Sequence, residues 1–295
     1  MTSIQKDSQL WKDSARYCLK STRQHAKSFY FCSFPLPKEK KLAAFGIYAF
    51  CRYADDLVDQ SEASGQGIET ALEGLERFVD EAVMGKSVET PAFAPIFAWA
   101  VQNYSIEKGL FLDLIRGVRM DLDEVRIPDW NALRTYCYYV ASVVGLIMSR
   151  VFELRNDEGI ERAIDLGLAM QLTNIIRDVG EDFARDRVYL PAAELKEYGV
   201  TLADLGGVEP SDKLKSLLQF QIARARDYYV RSEQGIAWLS QDGSQFTVWL
   251  MRHVYAGILD DVEKRDYNVL SQRAHTTLGD KISLAYRAWQ ASKRS

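Results

Sequence analysis

Residues 171–182, QLTNIIRDVGED, alternate oxygen-bearing and aliphatic side chains in a helical rhythm. Four polar residues recur at intervals of three, four and four, and so fall on one stripe of a helix: Gln171, Asn174, Asp178 and Asp182. The aliphatic residues between them predict packing against neighbouring helices. A stripe of oxygen ligands on an otherwise buried helix needs a partner. Mg²⁺ fits, because it binds through a few carboxylates together with substrate phosphates.

A second acidic segment, residues 51–59 (CRYADDLVD), repeats this design. Asp55 and Asp59 are four residues apart, so their carboxylates share a helix face and repel each other unless a cation binds. Arg52 and Tyr48 extend the same stripe. Taken alone, the segment is better interpreted as a solvated helix end that runs into the following loop. Together, the two stripes predict a metal-filled space between two helices that holds a diphosphate.

The rest of the chain is helical by its apolar periodicity, and proline and glycine mark most joints between helices. The predicted helices are 8–33, 38–60, 67–84, 91–103, 106–121, 129–153, 157–183, 192–198, 210–239 and 243–290, the last broken near Asn268. This pattern predicts an all-α fold, a single helical domain over 1–295 with a short polar segment at 1–10.

Composition narrows the function classes. Of the 295 residues 47% are apolar, enough for a large core, and the net charge of −4 leaves no basic stripe for nucleic acid. The three histidines lack zinc-site spacing, and the four cysteines are expected to be reduced. The N-terminus has no apolar signal segment, and the longest apolar stretch, 138–148, is about half a membrane-spanning helix. We expect a cytoplasmic protein.

From about Cys18 to Arg287 the sequence resembles the squalene/phytoene synthase family. The segments that carry the resemblance are HAKSF (25–29), YAFCRYADDLVD (48–59), MDLD (120–123), YVASVVGLIMS (139–149), QLTNIIRDVGEDFARDRVYLP (171–191) and ILDDVEKRDYNVLSQR (258–273). The paired D-x-x-x-D motifs with the R-x-Y-L-P tail at 187–191 are specific to this family. The resemblance implies the fold of isoprenoid synthases, a helical bundle with a central active-site cavity.

The resemblance also implies roles for individual residues. The implied metal ligands are Asp55, Asp59, Asn174, Asp178 and Asp182, with Gln171 lining the same wall. Implied catalytic residues are the four aspartates of this set with Tyr48, Arg52 and Tyr189. Arg52, Arg177 and Lys27 are expected to clamp diphosphate. His25, Ser28 and Phe29, at i, i+3 and i+4, are expected to place two phosphate contacts and an aromatic wall on one helix face. Tyr255 and Arg273 are weaker correspondences for substrate binding. The MDLD segment either provides a third acidic contact to the metal site through Asp121 or forms an exposed helix end.

The implied reaction joins two prenyl diphosphates through carbocations, with Mg²⁺ as cofactor and Mn²⁺ as a substitute. Water would quench such cations, so the pocket must be dry and walled by apolar and aromatic groups. Part of that wall is expected from one face of a helix: Ala141, Val144, Gly145 and Met148. The same small residues also fit tight packing between helices.

Substrate length depends on Ser33, which the predicted first helix places about 12 Å beyond His25. A small residue there leaves room for a long tail, which favours C20 substrates and phytoene over C15 substrates and a C30 product. Phytoene formation needs no NADPH. For a C30 product the use of NADPH stays open, because the absence of a G-x-G-x-x-G motif does not decide it.

Three alternatives remain. Terpene cyclases and chain-elongating prenyltransferases also use aspartates to bind metal and diphosphate, but they pair these aspartates differently. A non-catalytic scaffold would have lost metal ligands. Within the family, the C30 synthase is the rival. The oily product predicts peripheral membrane contact and hand-over to a downstream desaturase.

Overall fold

The computed structural model describes residues 8–64, 67–122 and 125–293, without the side chains of 58–64. The described residues form helices and no β-strand, and the predicted all-α class is confirmed. The helices are α1 Gln9–His25, α2 Lys27–Cys32, α3 Lys38–Ser64, α4 Ile68–Val83, α5 Ala94–Asn103, α6 Lys108–Arg119, α7 Trp130–Cys137, α8 Val143–Val151, α9 Glu158–Arg177, α10 Val179–Phe183, α11 Ala192–Glu197, α12 Leu202–Leu205, α13 Asp212–Ile236, α14 Ser244–Lys264 and α15 Leu278–Ser292. A π-helical turn, Tyr138–Ser142, joins α7 to α8.

The chain divides into two compact units. Unit 1 comprises Met1–Leu122, Leu146–Arg155 and Leu239–Thr247. Unit 2 comprises Asp123–Gly145, Asn156–Trp238 and Val248–Ser295. A single domain with a central cavity stays a prediction.

The core of unit 1 is aromatic. Phe50 of α3 is fully buried and stacks on Phe97 of α5, with their ring centroids 4.6 Å apart. Phe111 of α6 meets Phe50 edge-on at 5.4 Å. Such ring pairs add to the large area that each aromatic side chain buries. They fix which face of α3 points inward, and therefore which face carries the acidic segment.

A buried cation ties three segments of unit 1 together. Lys40 of α3 has a side chain only 6% exposed, and its Nζ lies 2.9 Å from carboxylate oxygens of both Glu153 and Asp242. Burial raises the pKa of Asp242, but hydrogen bonds from Lys40 and Ser244 outweigh it and lower that pKa. A buried charge needs such partners.

The core of unit 2 forms where α9 packs along α13. Tyr229 of α13 is fully buried, and its hydroxyl lies 2.9 Å from Thr173 Oγ1 of α9, so neither group is left unpaired. Leu168 and Leu172 of α9 are each 1% exposed beside this pair. This packing orients the face of α9 that carries the second acidic segment.

Two helices that the sequence predicts as continuous are broken, and the last predicted helix is broken over a wider range than predicted. The first breaks at Ala26, where φ is −125° and ψ is 57°. The predicted helix 157–183 breaks at Asp178, whose φ is −102° and ψ is 12°. The last breaks over 265–277, a wider gap than a kink near Asn268.

One apolar helical segment is longer than the sequence suggested. Among the described residues, Trp130–Val151 has the length (22 residues) and, in an 18-residue window, the mean hydropathy (1.2) to cross a membrane. Length and composition are weak evidence, since core helices pass the same test.

Candidate functional site

The first acidic segment lies on the half-exposed face of α3. Asp55 is exposed, whereas Ala54 beside it is fully buried. Arg52 Nη2 donates to Asp56 Oδ1 at 2.5 Å, while its Nε is buried with no hydrogen-bond partner. Asp59 follows one turn later in α3, and its side chain lies outside the described residues. The unsatisfied Nε leaves Arg52 able to donate to one more acceptor.

The segment before α3 differs from its prediction. His25 ends α1, whereas Ser28 and Phe29 belong to α2, so the three do not share one helix face as predicted. His25 and Lys27 are exposed and Ser28 is half-buried. Phe29 is 9% exposed and lies 6.1 Å, centroid to centroid, from the half-buried ring of Tyr48.

Ser33 also departs from the helix predicted over 8–33. It follows α2 as its C-cap, and the 12 Å rise from His25 therefore does not apply. The residue is 1% exposed, and its hydroxyl donates to the Tyr30 carbonyl at 2.8 Å. A contact of Ser33 with the substrate tail stays a prediction.

The second acidic segment keeps its predicted polarity in α9. Its aliphatic residues are at most 6% exposed: Leu172, Ile175, Ile176 and Val179. Gln171 and Asn174 are half-buried, and Asn174 Nδ2 donates to Gln171 Oε1 at 3.3 Å. Despite the break, Asp178 N donates to Asn174 O at 2.9 Å and Asp182 N to Asp178 O at 2.8 Å. These two i to i−4 bonds lie on either side of the break, while Gly180 N between them donates outside the helix.

Asp178 is held by two arginines. Arg177 Nε donates to Asp178 Oδ1 at 2.7 Å, and its Nη2 donates to Oδ2. Arg273 adds a second fork, with Nε 3.0 Å from Oδ1 and Nη2 3.3 Å from Oδ2. Burial lowers the pKa of Arg177, but bonding to Asp178 outweighs it and raises that pKa. Two cations around one carboxylate form a site that favours negative charge.

A close backbone approach positions Arg273. The loop after α14 passes over Gly180, whose N–H donates to Val269 O at 3.2 Å. A Cβ on Gly180 would lie 2.5 Å from Leu270 O, so only glycine fits without displacing this loop.

The pKa of the Asp182 carboxyl is strongly raised. Burial and then the charge of Asp178 raise its pKa to about 7, although Arg185 and Arg187 oppose the rise. The carboxyl borders a small void with apolar lining that includes Ile175, Val179, Leu190 and Leu205. The raised pKa makes Asp182 a candidate for the functional site, because a bound cation would relieve the cost of its charge.

Tyr189 lies on an extended segment after α10. Val188 N donates to Val125 O at 3.0 Å, which fixes this segment against the chain before α7. Tyr189 is 8% exposed and its ring lies 5.0 Å from that of Tyr136, which is 4% exposed. The two rings form an aromatic wall in unit 2. Tyr255 of α14 interacts electrostatically with Arg177.

The predicted tail-binding face runs through the π-helical turn. Its four residues are all half-buried: Ala141, Val144, Gly145 and Met148. The intervening Val143 and Ile147 are fully buried. A Cβ on Gly145 would lie 3.0 Å from Ala163 O of α9, so this glycine has a packing reason to be small. Its substrate contact stays a prediction.

The chemistry of the predicted metal ligands indicates which ion they could bind. Where side chains are described, no three acidic, histidine or cysteine groups form a ligand cluster. The second segment brings two carboxylates and the Asn174 amide, all oxygen ligands. This fits Mg²⁺, which leaves positions for water and phosphate, and does not fit a structural zinc site.

Sequence reasoning missed two partners in these sites. Asp56 pairs with Arg52, although only Asp55 was predicted to matter beside it. Tyr136 pairs with Tyr189, and nothing in the local sequence indicates that contact. The adjacency of two aspartates was the available signal for the first, whereas the second depends on a contact between residues 53 positions apart.

Comparison with known proteins gives matches over nearly the whole chain. The family model for squalene/phytoene synthase matches residues 22–280. A phytoene synthase of Arthrospira platensis is 37% identical over 283 residues, which cover 92% of this chain and 90% of that protein. A 15-cis-phytoene synthase of Synechocystis sp. is 35% identical over 290 residues, 94% and 85% of the two chains. The crystal structure of a dehydrosqualene synthase in complex with ligand is similar with a TM-score of 0.89, at 29% identity, over 96% of this chain and 98% of that one.

Proposed function

Because the chain belongs to the squalene/phytoene synthase family, we propose that it joins two C20 prenyl diphosphates head to head into phytoene. Two geranylgeranyl diphosphates condense 1′–1 through a cyclopropyl-carbinyl diphosphate, and two diphosphates and two protons leave. One observation carries the chain length: the phytoene synthases match at 35–37% identity, above the 29% of the dehydrosqualene synthase. The enzyme is a prenyltransferase of carotenoid biosynthesis.

We propose Mg²⁺ as the cofactor, with Mn²⁺ as a substitute. The ligands would be Asp55, Asp59, Asn174, Asp178 and Asp182. Bound Mg²⁺ supplies Lewis acidity that stabilises the departing diphosphate. Support comes from the oxygen-only donors of the second acidic segment, the ligand type that Mg²⁺ prefers. NADPH is not required, because phytoene forms by loss of protons and without a hydride.

The arginines bind the diphosphate in this proposal. Arg177 and Arg273 are already held beside Asp178, and Arg52 keeps an unused Nε–H. Lys27 and His25 are exposed cations or donors near the start of α2. Guanidinium groups suit phosphate because their parallel N–H groups match two oxygens.

Aromatic side chains protect the carbocations. In unit 1 the ring of Tyr48 lies against Phe29, and in unit 2 Tyr189 lies against Tyr136. Electron-rich ring faces stabilise a cation, and apolar walls exclude the water that would quench it. The half-buried face that includes Ala141 would contact the hydrocarbon tails.

The product identifies the reaction. Purified protein is incubated with Mg²⁺ and either geranylgeranyl or farnesyl diphosphate, with and without NADPH, and the hydrocarbons are identified by mass. We expect a C40 triene-centred product without NADPH. A C30 product would keep the family chemistry and overturn the substrate length.

Two variants test the metal ligands. Asp55→Ala and Asp178→Ala should each abolish turnover while circular dichroism shows unchanged helicity. The matched control is Asp227→Ala, which removes an exposed carboxylate from α13. Substantial activity in either site variant refutes the metal assignment. EDTA should abolish activity, and added Mg²⁺ or Mn²⁺ should restore it.

The product also bears on location. Phytoene is a hydrocarbon without a polar group, so we propose a cytoplasmic enzyme that contacts membranes peripherally. A desaturase that accepts the C40 hydrocarbon would be the next enzyme.

A further inference from the structure

An apolar stripe runs along the exposed side of α15. Four large side chains are strongly exposed there, Leu278 at 69%, Ile282 at 64%, Tyr286 at 60% and Trp289 at 47%. Their spacing of four, four and three residues places them within an arc of about 80° at 100° per residue. We call these four residues the C-terminal stripe.

The stripe points away from the core of unit 2. Two residues of α15 are buried, Leu284 at 8% and Ala288 at 0%, and Leu284 approaches Gly257 of α14. This buried side already anchors the helix. The exposed stripe therefore does not serve the internal packing of unit 2, and a continuous apolar row on a helix is a mark of an interaction surface.

The helix is preformed at its start. Thr277 Oγ1 accepts from Asp280 N, and the Asp280 carboxylate accepts from Thr277 N at 2.9 Å, which makes a capping box. Capping satisfies the free amides of the first turn. The capping box thus stabilises the first turn of the helix that carries the stripe.

Charge around the stripe is positive. Residues 278–293 contain Lys281, Arg287 and Lys293 against Asp280, a sum of +2 in a chain whose net charge is −4. Asp280 is engaged in the capping box, and the hydrogen bonds from Thr277 lower the pKa of its carboxyl. Lys293 Nζ lies 5.0 Å from the centroid of the Trp289 ring. The partner of this face is therefore anionic as well as apolar.

We propose that the C-terminal stripe docks the enzyme on the surface of an anionic lipid bilayer. Tyr286 and Trp289, stacked with centroids 6.0 Å apart, belong to the residue types that settle at the water–lipid boundary. Lysine and arginine keep their charges at the headgroups while their stems lie on the apolar side. The need for such docking rests on the proposed function, since a C40 hydrocarbon can leave only into an apolar phase. A second copy of the chain is a poorer occupant, because twofold pairing of this face would oppose like charges.

Vesicle flotation tests the docking. The full-length protein is mixed with vesicles of phosphatidylcholine alone or with about a third phosphatidylglycerol, at low and high salt. We expect binding to the anionic vesicles that weakens with salt, and a loss of about tenfold or more in the double variant Ile282→Ser with Trp289→Ser. The matched control is Val230→Ser, which removes a 60% exposed apolar residue from α13. Thermal unfolding should show that all three proteins are folded.

Each outcome decides between occupants. Absence of wild-type binding to anionic vesicles overturns the proposal, as does equal binding by the double variant. Light scattering that shows a dimer lost in the double variant assigns the stripe to a second copy and also overturns it. Condensation of geranylgeranyl diphosphate in detergent is measured separately: activity without vesicle binding removes only the docking, and vesicle binding without activity removes only the proposed function.

Discussion

Replacing Asp182 by asparagine should stabilise the metal-free protein while it destroys the reaction. Burial and the charge of Asp178 raise the pKa of Asp182 from 3.8 to about 7. The folded state therefore binds this proton more tightly than the unfolded state does. Between about pH 4 and 7 the unfolded chain has released a proton that the folded chain keeps, so stability falls as pH rises through this window, and the loss is complete above pH 7.

The magnitude follows from that difference in pKa. A rise of about three corresponds to about 4 kcal/mol at 1.36 kcal/mol each. The carboxyl is half-buried, and water screening reduces the expected effect to about 1–2 kcal/mol. Asparagine cannot ionise and keeps nearly the same volume. At pH 8 in EDTA, Asp182→Asn should therefore unfold about 2–4 °C above the wild type.

The assay is thermal unfolding at pH 5 and pH 8 in EDTA, repeated at pH 8 with Mg²⁺ and inorganic diphosphate. The advantage of the variant should fall to less than half at pH 5, because most of the ionisation cost is then absent. Mg²⁺ and diphosphate should stabilise the wild type more than the variant. Asp227→Asn, an exposed carboxylate of α13, should show no pH-dependent advantage. A variant no more stable than wild type at pH 8, or equally advantaged at both pH values, refutes the reasoning.

Gly180→Ala should lower the free energy of unfolding by about 1–3 kcal/mol, because the new Cβ would lie 2.5 Å from Leu270 O. Displacement of this loop should also weaken the binding of Mg²⁺ and diphosphate. Unfolding midpoints with and without these ligands measure both effects. The control Gly74→Ala, in an open helical position, should stabilise by up to about 1 kcal/mol, and equal losses in both would contradict the argument. Ser33→Phe should shift the product from C40 towards C30, as measured by mass, whereas Ser33→Ala should keep C40. Unchanged use of C20 substrate by a folded Ser33→Phe would remove the basis for placing Ser33 beside the substrate tail.

Two arginines reduce the repulsion between the acidic residues of the second segment. Arg177 and Arg273 neutralise Asp178, whereas Asp182 keeps a raised pKa instead. Breaking a buried pair costs more than forming it gains, because one charge is left without a partner. The same arginines are the proposed diphosphate ligands. In this proposal the diphosphate of the substrate and the carboxylate of Asp178 compete for the guanidinium groups of Arg177 and Arg273.

The sequence alone determined the helical class, the family and the two acidic segments. Periodicity of three and four residues is a local property, and the motifs at 51–59 and 171–182 are contiguous. The burial pattern of α9 was predicted correctly for the same reason: Leu172 and Ile175 are buried while Asn174 is half-exposed.

Tertiary structure alone decided the helix breaks and the long-range partners. No proline or glycine lies within three residues of the break at Ala26, whereas Gly180 lies two residues after the break at Asp178. Arg273 reaches Asp178 across 95 positions of sequence, through a loop that only the side-chain-free Gly180 admits. Backbone propensity is too weak to fix such features, and packing energies override it.

The C-terminal stripe shows the same division. Its residues lie in the last part of the helix predicted over 243–290 with a break near Asn268, and the sequence does not say whether they face the core or the solvent. The break before Leu278 and the burial of Leu284 turn Ile282 and Trp289 outward. Apolar periodicity predicts that a helix has an apolar face. Whether that face is buried depends on which elements pack against it, and this is a property of the folded chain.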